Sequence, residues 1–210
     1  MGLIMKKYVQ DDCVLGMWEI TEDFFTLYDM LDLSSDEIDT LNSFKSYNRK
    51  VEWLSVRVLL SEMVGPGIKI YYNGNRKPFL TDKEYNISIS HSNRLTSIIL
   101  SKKHRVGLDL EFVTNKIASL ADKFMTAGEV EAISNRYRRY HVYIYWCAKE
   151  ALYKICDKQN INFREDIIID PFVPEKSGTI TGKVHTDAIK EDFVLHFFRH
   201  NKYAVVWCCK

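Results

Sequence analysis

The chain has 210 residues, of which 46% are hydrophobic and 27% charged, and its formal net charge is +1. These values suit one large or two small soluble domains. Residues 1–103 contain 13 Lys and Arg against 14 Asp and Glu, and residues 104–210 contain 16 against 14, so neither half has the basic excess of a nucleic-acid-binding protein. No stretch reaches the roughly 18 apolar residues of a membrane span, and the amino terminus lacks the apolar run of a signal peptide. The sequence therefore predicts a cytoplasmic protein that acts without nucleic acid or membrane.

The first half of the chain predicts two helices followed by strands. Stretch 34–47 has Ser34 or Ser35 as a candidate N-cap and acidic residues in its first turn, which is typical of a helix start. Over 49–63 the apolar residues recur at helical spacing, and Gly65-Pro66-Gly67 ends this second helix. The strand candidates that follow in this half lie at 68–72, 85–90 and 96–100, and the next one, at 106–112, lies just after it.

The second half partly repeats this order, with a long helix at about 140–156 before a series of strands. The strand candidates lie at 167–169, 179–184, 193–198 and 203–209. The matching order predicts an α+β fold of two similar lobes related by a pseudo-twofold duplication, each a long helix packed on a small, mainly antiparallel sheet. The predicted amino-terminal lobe is 1–103 and the carboxyl-terminal lobe is 104–210.

Two short segments carry acidic side chains, and the second of them also carries lysines. Asp109 and Glu111 are two residues apart in a strand candidate, so both side chains would lie on one face. Glu150 and Lys154 are four apart in a helix candidate and would share one helix face. Taken alone, the first pair is also typical of a solvent-facing edge strand, and the second of an ordinary surface ion pair. Brought together, the three carboxylates and the lysine would suit a divalent cation beside a phosphate.

Four motifs occur in order along the chain: R-K-P-F-L, N-I-S-I-S-H-S, V-G-L-D-L-E and W-C-A-K-E-A-L-Y-K, starting at residues 76, 86, 106 and 146. Together they resemble the 4′-phosphopantetheinyl transferase superfamily, and in particular its two-lobed, surfactin-type branch. Trp53-Leu54-x-x-Arg57 and Phe124-Met125-x-x-x-Glu129 are similar to two further segments of that family. Arg76 stands where the family has glycine before Lys-Pro, and Cys147 stands where it has Ser or Thr.

The resemblance implies an enzyme that moves the phosphopantetheine arm of coenzyme A to a serine of an apo acyl or peptidyl carrier protein and releases 3′,5′-ADP. By resemblance, Mg²⁺ would be held by Asp109, Glu111 and Glu150. The implied coenzyme A contacts are Arg57, Lys77, Pro78, Ser90, His91, Lys149 and Lys154. In the implied reaction Glu150 accepts the serine proton, Lys154 stabilises the departing ADP, and Asp109 completes the catalytic set.

The resemblance also implies where the partners bind. The family docks its carrier on the segment that includes Lys116, Phe124 and Met125, and we expect coenzyme A to lie in a cleft touched by both lobes of a monomer. Two alternatives stay open at this point. One is a non-catalytic homologue that binds coenzyme A or a carrier, and the other is a different Mg²⁺-dependent phosphotransferase. The sequence does not distinguish fatty-acid, polyketide and nonribosomal-peptide carriers.

Overall fold

The computed structural model describes residues 2–115, 117, 120–157 and 160–210. The chain divides into two compact units, Met1–Lys103 (unit 1) and His104–Lys210 (unit 2). Both units combine helices with antiparallel sheets, so the predicted α+β class is confirmed. None of the helices in the described ranges is both long and apolar enough to cross a membrane.

Unit 1 is built on a four-stranded antiparallel sheet of order β1-β2-β6-β5, together with a small hairpin of β3 and β4. Its strands are β1 (Leu3–Gln10), β2 (Cys13–Glu19), β3 (Ile70–Tyr72), β4 (Pro78–Leu80), β5 (Asn86–Ser92) and β6 (Leu95–Ser101). Its helices are α1 (Phe24–Asp29), α2 (Ser35–Ser43) and α3 (Tyr47–Val64).

Helix α3 packs on β6 and β2 and supplies much of the core of unit 1. It begins after Ser46, whose side chain accepts a hydrogen bond from the backbone N–H of Arg49, and it ends at Gly65, whose φ of 92° is left-handed. Ser34 is the N-cap of α2, one of the two predicted candidates, and it forms a capping box with Glu37. The hairpin of β1 and β2 is not among the predicted strands.

Unit 2 is built on a five-stranded antiparallel sheet of order β7-β11-β10-β9-β8. Its strands are β7 (Val106–Phe112), β8 (Ile167–Ile169), β9 (Ser177–His185), β10 (Lys190–His200) and β11 (Tyr203–Cys209). Its helices are α4 (Ala121–Phe124), α5 (Ala127–Glu131) and α6 (Arg138–Ile155). Helix α6 packs on β7, β11 and β8, and its buried side chains form most of the core of this unit.

Each unit thus has one helix of 18 residues packed on an antiparallel sheet. The strand orders differ, because in unit 1 two strands precede the long helix, whereas in unit 2 only β7 does. A duplication of one ancestral lobe stays a prediction.

Candidate active site

Strand β7 carries the two predicted carboxylates at the edge of the unit 2 sheet. It pairs antiparallel with β11, which places Asp109 opposite Val206 and Glu111 opposite Ala204. Because alternate residues of a strand share a face, both carboxylates lie on the side that α6 covers. Asp109 is only 5% exposed, whereas Glu111 is partly exposed. The pair is therefore not the solvent face of an edge strand, which was the alternative interpretation.

Gly107 sets the distance between this strand and α6. A Cβ atom built on Gly107 would lie 2.2 Å from the carbonyl oxygen of Ala151, which is a backbone atom of the helix. Only glycine permits this approach, because the Cβ atom of any other residue would overlap the helix backbone. The close packing brings the last turn of α6 next to the strand position that holds Asp109.

Gly107→Ala is expected to destabilise the protein by about 1–3 kcal/mol or more, because a packed backbone cannot move aside as a flexible side chain can. The phosphopantetheine transfer that the motifs imply should also fall at temperatures where the variant is folded, since α6 carries Lys154. Gly128→Ala in α5 is the matched control, since nothing lies within 4 Å of its added methyl. Thermal unfolding checks both variants. Equal stability of Gly107→Ala and the parent would show that the helix and strand do not touch there.

Lys154 reaches across this contact to Asp109. Its Nζ lies 2.7 Å from Oδ1 of Asp109 and donates a second hydrogen bond, of 2.9 Å, to the carbonyl oxygen of Leu108. Both side chains are mostly buried, so their attraction is screened less than that of a surface pair. The ion pair holds the ammonium in one place relative to the carboxylates of β7.

Cys147 lies on the same side of α6, under these carboxylates. Its Sγ is 3.9 Å from the carbonyl oxygen of Ala204, which lies opposite Glu111 in the sheet. Burial raises the pKa of the Cys147 thiol well above its usual range, and the negative charges of Asp109 and Glu111 raise it further. The thiol is thus neutral and fills space, so the replacement of the family's Ser or Thr at this position adds no charged group.

Mg²⁺ in proteins is commonly held by one or two carboxylates, with phosphate oxygens and waters completing six ligands. Asp109 and Glu111 on one face of β7 fit that requirement. Among the described residues, however, no three His, Cys, Asp or Glu side chains converge closely enough to hold a metal ion. Glu150 stays a predicted third member of this carboxylate set, with Asp109 and Glu111. It lies on the partly exposed side of α6, one turn before Lys154.

Lys149 is placed differently from its predicted role as a coenzyme contact. Its side chain is 0% exposed, and its Nζ lies 2.9 Å from Glu129 Oε2. The same ammonium donates to the carbonyl oxygens of Phe163, at 2.9 Å, and Ile167, at 2.6 Å. An ammonium has three N–H donors, and these three acceptors account for all of them. Lys149 thus uses its three donors within the fold, and its contact with the coenzyme stays a prediction.

The predicted carrier-docking residues need correction. Phe124 and Met125 are 3% and 1% exposed and belong to the core of unit 2, where Phe124 packs edge-on against Trp146. Neither side chain presents a surface to a partner. Lys116, the third residue of that prediction, lies outside the described residues.

In unit 1, His91 on β5 lies beside Arg49 and Glu52 of α3. His91 Nε2 is 2.7 Å from Nη1 of Arg49, and His91 Nδ1 is 3.6 Å from Oε2 of Glu52. Ser90, the preceding residue of the motif, is buried. Arg49 precedes His91 by 42 residues in the sequence. The motif around His91 therefore does not predict this contact, because only the packing of α3 and β5 in one unit brings Arg49 and His91 together.

Arg57, also on α3, is bound in a buried network. Its guanidinium lies 3.2 Å from the centroid of the Trp53 ring, and its Nε donates to Glu37 Oε1 at 3.0 Å. Lys69 Nζ pairs with the other oxygen of Glu37 at 3.1 Å. Burial lowers the pKa of Arg57, but Arg57 stays charged at neutral pH. Arg57 thus has a clear structural function, and its contact with coenzyme A stays a prediction.

Lys77 and Pro78 lie where the turn between β3 and β4 ends. The side chain of Asn73 accepts hydrogen bonds from the backbone N–H groups of Asn75 and Lys77 and thereby shapes the turn. Arg76 has a φ of 60°, in the left-handed region that glycine adopts without strain. Arg76 thus occupies, at the position where the family motif has glycine, a backbone conformation that glycine adopts without strain.

The comparisons with known proteins agree with these motifs. The model of the 4′-phosphopantetheinyl transferase superfamily matches residues 105–208, which is most of unit 2. The 4′-phosphopantetheinyl transferase HetI of Nostoc sp. is 27% identical over 164 residues, covering 70% of this chain and 69% of HetI.

Two 4′-phosphopantetheinyl transferases named AcpT are also similar over 112 residues. The protein from Salmonella typhimurium is 30% identical and that from Salmonella typhi 31%. Each alignment covers 50% of this chain and 58% of the AcpT protein, so the chain matches less than two thirds of those relatives. The matched segment includes the strand of Asp109 and the helix of Lys154, and over this segment the chain is similar to the 4′-phosphopantetheinyl transferase superfamily.

Proposed function

We propose that this chain is a holo-carrier-protein synthase, which transfers 4′-phosphopantetheine from coenzyme A to a serine of an apo acyl or peptidyl carrier protein. The single observation that carries the proposal is the Lys154–Asp109 ion pair at 2.7 Å, with Glu111 on the same strand face, inside the region that matches the family. We further propose the two-lobed, surfactin-type branch, which the division into two compact units supports.

In the proposed reaction the serine oxygen of the carrier bonds to the β-phosphorus of coenzyme A. The bond from that phosphorus to the bridging oxygen breaks, and 3′,5′-ADP leaves with the bonding electrons. Glu150 accepts the serine proton, directly or through water. The ammonium of Lys154, held in place by Asp109, stabilises the negative charge that develops on the departing ADP.

Asp109 and Glu111, with Glu150 as the predicted third carboxylate, would hold Mg²⁺ together with phosphate oxygens and waters. When bound, the ion would neutralise charge on the pyrophosphate. In unit 1, Arg49 joins His91 as a proposed phosphate contact, because two adjacent cationic or hydrogen-bonding side chains suit a doubly charged phosphate. The other proposed coenzyme contacts are Arg57, Lys77, Pro78, Ser90 and Lys154.

The test is to incubate the protein with coenzyme A, Mg²⁺ and a panel of apo carriers from fatty-acid, polyketide and nonribosomal-peptide systems. We expect the intact mass of at least one carrier to increase by one phosphopantetheine arm, with release of 3′,5′-ADP. The same carrier with its acceptor serine changed to alanine is the control, and excess chelator should stop the reaction.

Two results would favour the alternatives. Coenzyme A that raises the melting temperature without any transfer, across the whole panel, would indicate a binding homologue rather than an enzyme. A melting temperature that rises with ATP but not with coenzyme A would indicate a different phosphotransferase.

A further inference from the structure

A cavity of about 640 Å³ lies in unit 2, at the opposite end of α6 from Lys154. Its lining includes Tyr137, Tyr140, Val173, Pro174, Lys176 and Arg199. Tyr140 precedes Lys154 by 14 residues of one helix, which corresponds to about 21 Å along the helix axis. This cavity, which we call the Tyr140 cavity, is therefore separate from the carboxylates of β7 and takes no part in the proposed reaction.

Exposed cations collect around the Tyr140 cavity. Arg136, Arg138 and Arg139 flank Tyr137 at the start of α6. Lys176 and Arg199 line the cavity, and Lys202 follows the lining residue Asn201. In the described part of the chain none of these six residues forms an ion pair, and Glu175 is the only acidic residue among those that line the cavity. With a net charge of only +1 for the whole chain, this is a marked local excess.

The apolar part of the cavity is accessible. Tyr137 is 46% exposed and Val173 is 70% exposed, although both are large hydrophobic side chains. Arg136 lies over the ring of Tyr137, with its guanidinium carbon 5.2 Å from the ring centroid. An apolar pair bordered by cations in a concave site suits a segment that carries both an apolar side chain and negative charge.

Tyr140 supplies a polar group that the protein does not satisfy. The side chain is 93% buried, at 7% exposure, and its hydroxyl has no hydrogen-bond partner among the described residues. The guanidinium carbon of Arg199 lies 5.4 Å from the Tyr140 ring centroid, and Arg199 Nε is fixed by a hydrogen bond of 2.9 Å to the carbonyl oxygen of Asn201. A buried donor without an acceptor is unfavourable, and an oxygen of a bound segment would relieve it.

We propose that the Tyr140 cavity is a docking site for an acidic polypeptide segment of a partner protein. An apolar side chain of the segment enters between Tyr137 and Val173, and its carboxylates pair with Arg199, Lys176 and the arginines at the start of α6. A backbone or carboxylate oxygen accepts the hydrogen bond of the Tyr140 hydroxyl. The concave shape and the buried donor favour a polypeptide over a flat anionic membrane, which offers no side chain to fill a cavity.

The test uses the full chain and three fluorescently labelled peptides of equal length. The first is rich in Glu and Asp around a central Phe, the second has Ala in place of Phe, and the third has Gln in place of the acids. We expect the first peptide to bind most tightly, the second about tenfold more weakly because it buries no aromatic ring, and the third at least about tenfold more weakly because it loses its charges. Fluorescence anisotropy at low and at physiological salt measures all three.

Variants locate the binding on the protein. The double variant Arg199→Gln with Lys176→Gln should bind the first peptide about tenfold more weakly. Tyr140→Phe should bind it about threefold to tenfold more weakly, because one hydrogen bond is lost. Lys7→Gln is the matched control, because Lys7 is an exposed lysine that lines a different basic cavity, in unit 1. Circular dichroism and melting temperature verify that each variant is folded.

Three outcomes would overturn the proposal. One is equal binding of the three peptides, and another is a loss with Lys7→Gln as large as that with the double variant. The third is displacement of the acidic peptide by phosphatidylserine vesicles or by a single-stranded oligonucleotide, at a concentration lower than that of unlabelled acidic peptide needed for the same displacement. Phosphopantetheine transfer to a carrier is measured separately, and its failure would leave the peptide result unaffected.

Discussion

Asp109→Asn is expected to reduce phosphopantetheine transfer by at least about 100-fold, because it removes one charge from the group that orients Lys154 and would hold the metal ion. The amide oxygen of Asn is still able to accept the hydrogen bond that Lys154 donates to Oδ1. Lys154 also keeps its bond of 2.9 Å to the Leu108 carbonyl. The variant should therefore stay folded, and the measured loss should lie in turnover. Carrier mass and ADP release over a range of coenzyme A and Mg²⁺ concentrations give the result.

Asp192→Asn provides the control for this experiment. Asp192 is on β10 in the same unit, with a side chain 87% exposed, so removing its charge should leave both stability and transfer unchanged. Full activity of Asp109→Asn would remove the central residue of the proposed site. Loss of folded structure in Asp109→Asn, but not in Asp192→Asn, would indicate that Asp109 serves the fold and not the reaction.

The pairing of Asp109 with Lys154 illustrates what the sequence is able to predict about the site. Side chains two residues apart in a strand, or four apart in a helix, lie on one face. These local rules apply to Asp109 and Glu111 in the strand and to Glu150 and Lys154 in the helix. The contact between the segments depends on Gly107, whose significance is visible only once the helix backbone is placed against it. Arg49 is a similar case, because α3 and β5 must pack in one unit before the arginine reaches His91.

The fold shows the same division between local and non-local information. Helices α3 and α6 were predictable because their apolar residues recur over 18 positions and α3 ends at a left-handed glycine. Strand β1 was not, because Lys6 and Lys7 interrupt its alternation and most of its side chains are exposed. Its pairing with β2 through a turn at Asp11, which has a φ of 37°, is what makes it a strand.

Lys149→Met is expected to lower the free energy of unfolding by about 3–5 kcal/mol, because it leaves the carboxylate of Glu129 buried without its cation. Glu129 is 3% exposed and also accepts hydrogen bonds from the backbone N–H groups of Thr126, at 2.7 Å, and Ile169, at 2.9 Å. Burial lowers the pKa of Lys149, and the negative charge of Glu129 opposes that shift. The double variant Lys149→Met with Glu129→Gln should be more stable than Lys149→Met alone, because no charge is then left buried. Chemical denaturation of both variants measures the difference.

The same variant separates a structural from a coenzyme-binding function of Lys149. Helical geometry places Lys149 about 140° around the helix axis from Lys154, so the two lysines face different surroundings even though one motif contains both. If Lys149 only supports the fold, then at a temperature where Lys149→Met is folded the KM for coenzyme A should equal that of the parent. Lys190→Met, a change of an exposed lysine on β10, should alter stability by no more than about 0.5 kcal/mol. A raised KM for coenzyme A in folded Lys149→Met would support the phosphate contact that the motif predicts. In that case the buried ammonium of Lys149 would have to leave Glu129 when the coenzyme binds.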